Sequence, residues 1–301
     1  MKKTFYFKKF EENILKLPFF VYRKKDIIKL NFFQKILFVI NSKIIILIYK
    51  LFDKNSFCFL MNIYFGSDGK IEYSSNTQTY LKNHNGSKIY YPNKTRILGS
   101  MANHKYELDN LLYSYSLENF YLNSNDLVID CGANVGNLKL GLTQYYPIFK
   151  YIAFEPDKDV FNCLKLNLMH ENDVELYELS LSDKNSKKTL YIDSNTGDSS
   201  LEKFDTGKKA IVTTMRLDEL EYRKIKLLKI DAEGHELEVI KGAEKILNNI
   251  EYITVDMGAE KNSGSENTVA SVINYLLNKK FIMVSFKENR TTGLFKNSIY
   301  N

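Results

Sequence analysis

"LVIDCGANVGNLKL", Leu127 to Leu140, decides the fold. Leu127-Val128-Ile129-Asp130 reads as a buried strand, and Gly132 and Gly136 then bracket a small polar turn before a helical pattern with Leu138, Leu142 and Tyr145 on one side. An open α/β sheet binds its ligand where such a strand ends and a helix begins. Downstream the alternation continues. "YIAFE" is a strand and "KDVFNCLKLNLMH" a helix capped by Asp157. "VELYELSL" is a strand, and "KKTLYID" and "AIVTTMRL" form a β excursion around "SNTGDSSLEKF". "KLLKID" is a strand before the helix "ELEVIKGAEKILNN". "YITVDM", "ENTVASVINYLLNKK", and a hairpin of "FIMVSF" with "TTGLFKN" complete the chain. This order predicts a doubly wound, mostly parallel sheet with an antiparallel C-terminal hairpin at one edge.

The loop is not a dinucleotide fingerprint. Its spacing is Gly-x-x-x-Gly, with Asn134 where Gly-x-Gly-x-x-Gly places its middle glycine, and no Gly-Lys-Ser/Thr follows. Asp130, two residues before Gly132, repels a pyrophosphate and suits a cationic group. Glu155 ends the next strand, 25 residues after Asp130, where an acid accepts hydrogen bonds from ribose hydroxyls. A nucleoside without a pyrophosphate satisfies both acids, and S-adenosylmethionine, with its ribose and sulfonium, is such a ligand.

"VIDCGANVGNLKL", "AFEPDKDVFNCLKLNL", "LSLSD", "NTGDSSL", "TTMRLDEL" and "LLKIDAEGHELEVIKGAEKIL" follow one another here as they do in FkbM-type methyltransferases, which this sequence resembles from Asp126 to about Leu247. The resemblance implies the class I methyltransferase fold, Rossmann-like, and S-adenosylmethionine as methyl donor. It implies an acceptor hydroxyl on a sugar, a glycan or a related small molecule. It assigns cofactor binding to Asp130, Gly132, Asn134, Gly136 and Glu155, and puts Ser182 and Asp183 near the adenine. The candidate catalytic residues are Asp231, Glu233 and His235 at the end of "KLLKID", which share a face only if the chain stays extended there. Asn195, Ser199 and Asp256 are candidate substrate contacts. The family's usual Val is Ala232 here, and its frequent Glu is Asp256.

Composition narrows the alternatives. Three cysteines without a CxxC pair imply a reducing compartment, hence the cytoplasm, and the four histidines form no metal-ligand pattern. No metal is expected. The net charge of +6 is uneven: residues 1–54 carry thirteen cations against four acids, and the remainder is net negative. With no basic cluster on the nucleotide-binding part, no nucleic-acid partner is expected.

The basic arm, residues 1–60, contains "FFQKILFVINSKIIILIYKLF", whose longest charge-free run is Ile36 to Ser42, short of the roughly 20 residues a spanning segment needs. Lys35, Lys43 and Lys50 share one side of a helix. That pattern suits either packing on its own domain or a second subunit, or peripheral contact of residues 1–55 with the cytoplasmic membrane face. Residues 61–125 read as a β-rich cap with a lead-in helix, and 126–301 as the methyltransferase domain. Two other classes fit the sequence less well. An NAD(P)-dependent sugar oxidoreductase or epimerase lacks its glycine fingerprint here. A non-catalytic membrane-peripheral module sits badly with Asp130, Glu155 and Asp231 all present.

Overall fold

The computed structural model describes residues 30–65, 69–84, 86–101, 104–192, 199–202, 208–220, 222, 224–258, 267–288 and 290–300. The chain divides into two compact units, Met1–Glu107 and Leu108–Asn301. The expected boundaries after residues 60 and 125 do not coincide with this division.

The first unit holds α1 (Phe32–Leu51), α2 (Lys54–Phe65), the antiparallel strands β1 (Lys70–Ser74), β2 (Thr79–His84) and β3 (Ser87–Tyr91), and the short α3 (Lys94–Gly99). Asn31 and Gln34 close a capping box at the start of α1: each side chain bonds the other's backbone N–H at 2.9 Å. Asn62 on α2 bonds both the N–H and the carbonyl of Ile71, at 2.8 and 2.7 Å. It thereby satisfies a backbone position on edge strand β1. Phe57 bridges Tyr49 and Tyr80 through edge-on ring contacts. Helix α1, whose charge-free runs read as too short for a spanning segment, runs for 20 residues and is by length and composition long and apolar enough to cross a membrane.

Helix α4 (His104–Ser114) spans the division between the units. The second unit contains a seven-stranded sheet built from β4 (Leu127–Cys131), β5 (Lys150–Phe154), β6 (Val174–Tyr177), β11 (Ile225–Ile230), β12 (Ile250–Asp256), β13 (Phe281–Lys287) and β14 (Thr292–Asn297), in the order β13-β14-β12-β11-β4-β5-β6. A smaller sheet combines β7 (Ser180–Leu181), β8 (Ser186–Ile192), β9 (Ser199–Ser200) and β10 (Lys208–Met215), in the order β7-β10-β8-β9. "VELYELSL" is therefore two strands, one in each sheet.

Strands β4, β5, β6, β11 and β12 are parallel, and β14 pairs antiparallel with both β12 and β13. The C-terminal hairpin is present, but its antiparallel strand is not the edge. Strand β14, between β12 and β13, is buried on both faces, whereas β13 alternates more and less buried residues as an edge strand does. Helices α5 (Asn137–Thr143), α6 (Lys158–Leu168), α7 (Glu236–Gly242) and α8 (Val269–Asn278) complete the unit. Alternate strand residues feed two cores: Val128, Tyr151 and Ala153 pack with Leu138 and Phe161, while Ile129, Leu228 and Ile230 pack with Val239 and Leu276. From β4 the chain winds outward through β5 and β6, then returns to β11 on the other side of β4. The reversal point lies between β4 and β11, and the site forms at their carboxyl ends.

Candidate active site

The loop after β4 is a backbone device. Gly132, Asn134 and Gly136 all take left-handed φ angles, 73°, 52° and 92°. A Cβ on Gly132 would stand 2.0 Å from the carbonyl oxygen of Asp231, so the loop touches the end of β11 directly. The N–H groups of Gly132 and Ala133 both donate to the Phe154 carbonyl at 3.0 Å. The Asn134 N–H donates to one oxygen of Glu155 at 2.9 Å, and the Asp157 N–H to the other at 3.0 Å. The anion this loop holds is thus its own carboxylate, that of Glu155.

Asp130 lies differently from the expectation of an acid open to a cationic ligand. Its side chain is wholly buried. Its cross-strand neighbour in register is Lys229, whose Nζ stands 2.9 Å from Oδ1, and the Tyr151 hydroxyl donates to Oδ2. Lys229 also donates to the Gly132 carbonyl at 2.6 Å and lies 3.8 Å from Asp231. Burial disfavours the ammonium, but Asp130 and Asp231 outweigh it and raise the Lys229 pKa. The Asp130 charge is neutralised inside the protein, and the pair ties the loop to β11. The second lysine of "KLLKID", flanked by Leu228 and Ile230, is the sequence signal for this tie.

The turn after β11 separates the three residues expected to act together. Glu233 adopts φ 49° and Gly234 φ 98°, so the chain does not stay extended. Asp231 turns toward the ends of β12 and β14. The Tyr115 hydroxyl donates to its Oδ2 at 2.5 Å and Arg290 Nη2 at 2.8 Å. Arg290 Nε donates to Asp256, so one guanidinium bridges the two carboxylates. The buried Tyr115 ring lies 4.8 Å from the Arg290 guanidinium carbon and 5.3 Å from Lys229 Nζ. Burial, then the charge of Asp231, pushes the Asp256 carboxyl up to about 6, with Arg290 pulling the other way. Neither Tyr115 nor Arg290 was a sequence candidate. Tyr115 directly follows the lead-in helix, and Arg290 falls between the two strands of the hairpin, outside every quoted motif.

His235 turns away from this group. Its Nε2 lies 3.0 Å from Ser182 Oγ and 3.1 Å from Lys188 Nζ, and its Nδ1 lies 3.6 and 3.7 Å from Glu202 and Glu238. An ammonium only donates, so Nε2 is an acceptor and its lone pair is engaged. Burial and then Lys188 lower the His235 pKa. The lysine makes His235 a poor proton acceptor, and the ring latches α7 to the smaller sheet. Ser182, expected near the adenine, is fully buried in this same cluster and also lies 3.2 Å from Asp183 Oδ1. The Glu233 carbonyl accepts from Ser200. Ser199 pairs with Ile192 on the outer strand of the smaller sheet. Asn195 lies outside the described residues. Among the described residues no His, Cys, Asp and Glu cluster could hold a metal ion.

The profile of the methyltransferase FkbM domain matches residues 130–283. The chain belongs to the FkbM methyltransferase family. The match runs from the Asp130 loop to the edge strand β13, and so covers the ends of β4, β5, β11 and β12. The methyltransferase sdnD of Sordaria araneosa is 29% identical over 171 residues, covering 44% of this chain and 65% of that protein. The hexuronic acid methyltransferase AglP of Haloferax volcanii is 30% identical over 142 residues, covering 45% and 57%. The chain thus spans roughly three fifths of the length of these curated relatives. The FkbM methyltransferase of Methylobacillus flagellatus KT superposes with a TM-score of 0.43 at 14% identity, over 66% of this chain and 53% of that one.

S-adenosylmethionine is the cofactor of this family, and the residues present fit it. The side-chain oxygens of Asn134 and Asn137 are buried and have no hydrogen-bond partner among the described residues. A buried acceptor left unpaired costs about 1–3 kcal/mol. The ammonium of the cofactor's amino acid would supply donors for them, and Glu155 would be the acid placed for its ribose.

Proposed function

We propose that this chain is an S-adenosylmethionine-dependent O-methyltransferase acting on a hydroxyl of a sugar, a glycan or a related small molecule. The observation that carries the reading is the Asp231–Arg290–Asp256 bridge beside the glycine loop, with the Asp231 N–H bonded to the Cys131 carbonyl at 3.1 Å. The name of the relative AglP, a hexuronic acid methyltransferase, supports a sugar acceptor.

The cofactor supplies a methyl group already activated on a sulfonium. The protein's task is to align the acceptor oxygen, exclude water and receive one proton. Gly132, Asn134, Gly136 and Glu155 hold and orient the cofactor. Asp231, held by Tyr115 and Arg290 and close to Lys229, orients the acceptor. Asp256, with a pKa of about 6, is nearer the value an efficient base needs at neutral pH. It takes the hydroxyl proton as the oxygen–carbon bond forms. Arg290 holds both acids in place and screens their mutual repulsion.

The test is to incubate the full chain with methyl-labelled S-adenosylmethionine and a panel of glycans, and to follow label and mass. A glycan gaining one methyl group, with S-adenosylhomocysteine formed in equal amount, is expected. Cofactor binding with transfer only to RNA or protein would overturn the acceptor class. Absence of cofactor binding would overturn the reading as a whole.

A further inference from the structure

Helix α1 presents three different faces. Ile45 and Ile48 are buried against the first unit. The same side is pinned by hydrogen bonds of Tyr49: its hydroxyl meets Thr95 Oγ1 at 2.6 Å, and Lys94 donates to its carbonyl at 2.8 Å. At roughly 100° per residue, Lys35, Lys43 and Lys50 fall within an arc of about 80° on the far side. Phe33, Ile36, Ile40, Leu47 and Leu51 fill an adjoining arc of about 60°. All eight are exposed, Phe33 by 75% and Leu51 by 67%. On α2, Phe59 and Ile63 are equally open. So many large apolar side chains on one helix exceed the scattered exposure normal for a soluble surface.

Charge says what covers them. Residues 1–54 carry thirteen cations against four acids. An apolar stripe bordered by lysines fits the boundary of an anionic bilayer, where the stripe enters the acyl region and the ammonium groups meet lipid phosphates. A spanning orientation fits less well, because Lys43 lies mid-helix and the Ile45–Ile48 side is occupied by protein.

We infer that α1 is an interfacial membrane-binding helix that rests on an anionic lipid surface through Phe33, Ile36, Ile40, Leu47 and Leu51, flanked by Lys35, Lys43 and Lys50. The inference is independent of the proposed reaction.

The experiment is flotation of the full chain with phosphatidylcholine vesicles, with and without phosphatidylglycerol. The chain should float with the anionic vesicles and much less with the neutral ones, and added salt should weaken the binding. Replacing Lys35, Lys43 and Lys50 together by Gln should reduce affinity for anionic vesicles roughly 100-fold. The double substitution Ile36→Asp with Ile40→Asp should abolish flotation. Each variant is checked for folding by its thermal transition and by cofactor titration. A wild-type chain that fails to float overturns the inference, and so does a self-associated chain that Ile36→Asp with Ile40→Asp disperses while vesicles leave it unbound. Retention in vesicles after alkaline carbonate washing would instead make α1 a spanning helix, and would overturn it too.

Discussion

The proposed cofactor side and the proposed acceptor side of the strand-end site are built from different materials. Gly132, Asn134, Gly136 and Glu155 act through backbone: left-handed turns, N–H groups on a carboxylate, and a close approach to the Asp231 carbonyl. Tyr115, Asp231, Asp256 and Arg290 act through side chains brought from α4, the ends of β11 and β12, and the turn before β14. The first side fails through shape, and the second through charge. Lys229 joins them, since it bonds the Gly132 carbonyl and lies against both Asp130 and Asp231.

The largest effect belongs to the shape side. Gly132→Ala adds a Cβ 2.0 Å from backbone at a φ of 73°, and the clashing atom is a carbonyl that cannot swing away. Cofactor binding by calorimetry should be lost, and stability should fall by about 3 kcal/mol. Affinity within threefold of wild type would break the comparison, because shape would then not govern that side.

Asp256→Asn tests the charge side. Turnover should fall by about 10² to 10³, the usual range for removing a general base, with cofactor affinity unchanged. Unaltered turnover would pass the role of proton acceptor elsewhere. Asp130→Ala separates scaffold from site. It leaves Lys229 buried without its nearest charged partner, which costs about 3 kcal/mol, or a melting shift of roughly 6–12 °C in a unit of this size. The folded fraction should still bind cofactor. A full loss of binding at unchanged stability would return Asp130 to the ligand.

Glu236, at the start of α7, gives the acceptor side a pH signature. It is buried and accepts from the Gly234 N–H and the Thr268 hydroxyl, both at 2.8 Å; burial outweighs these bonds and pushes its carboxyl up to about 7. Between about pH 4.5 and 7 the native state holds a proton that the unfolded chain has released. Stability therefore falls as pH rises through that window, by up to about 1.4 kcal/mol per unit, and levels off above it. Glu236→Gln removes the dependence, while Asp256 and His235 titrate alike in both proteins. Urea unfolding at pH 4.5 and 8 should show wild type losing roughly 3 kcal/mol relative to the variant. Equal losses would mean that the Glu236 carboxyl ionises as it does in the unfolded chain.

The contrast also explains what was legible in the sequence. The glycine loop and Glu155 could be read because a backbone turn is encoded by contiguous residues, and 130 to 136 is one stretch. The parallel strands were legible for the same reason, as apolar runs bounded by turns. The acceptor side was half visible. Asp231 and Asp256 sit at strand ends, where acids attract notice, but the residues that set their charge come from 116 residues upstream, at Tyr115, and 34 downstream, at Arg290. Only the insertion of β14 beside β12 brings Arg290 there, and strand order inside a sheet has no local signature. His235 misled because a histidine after an acid cluster resembles a base. Its partners Ser182 and Lys188 arrive from the smaller sheet; the sequence shows that β excursion but not where it packs.

The smallest expected effect probes the joint between the two sides. Tyr115→Phe keeps the ring between Lys229 and Arg290 and removes only the hydroxyl that bonds Asp231. Stability should fall by about 1–2 kcal/mol, the loss of one hydrogen bond to a charged acceptor. Turnover should fall about tenfold, as expected for a residue that positions the machinery rather than reacting. The discriminating readout is the pH profile of kcat. With one donor fewer, the negative charge of Asp231 is less offset, so its repulsion pushes the Asp256 carboxyl further up. The acidic limb should then move to higher pH in the variant. A tenfold loss with an unmoved limb would mean that Tyr115 only fills space under Arg290, and that the negative charge of Asp231 is offset by Arg290 and Lys229 alone.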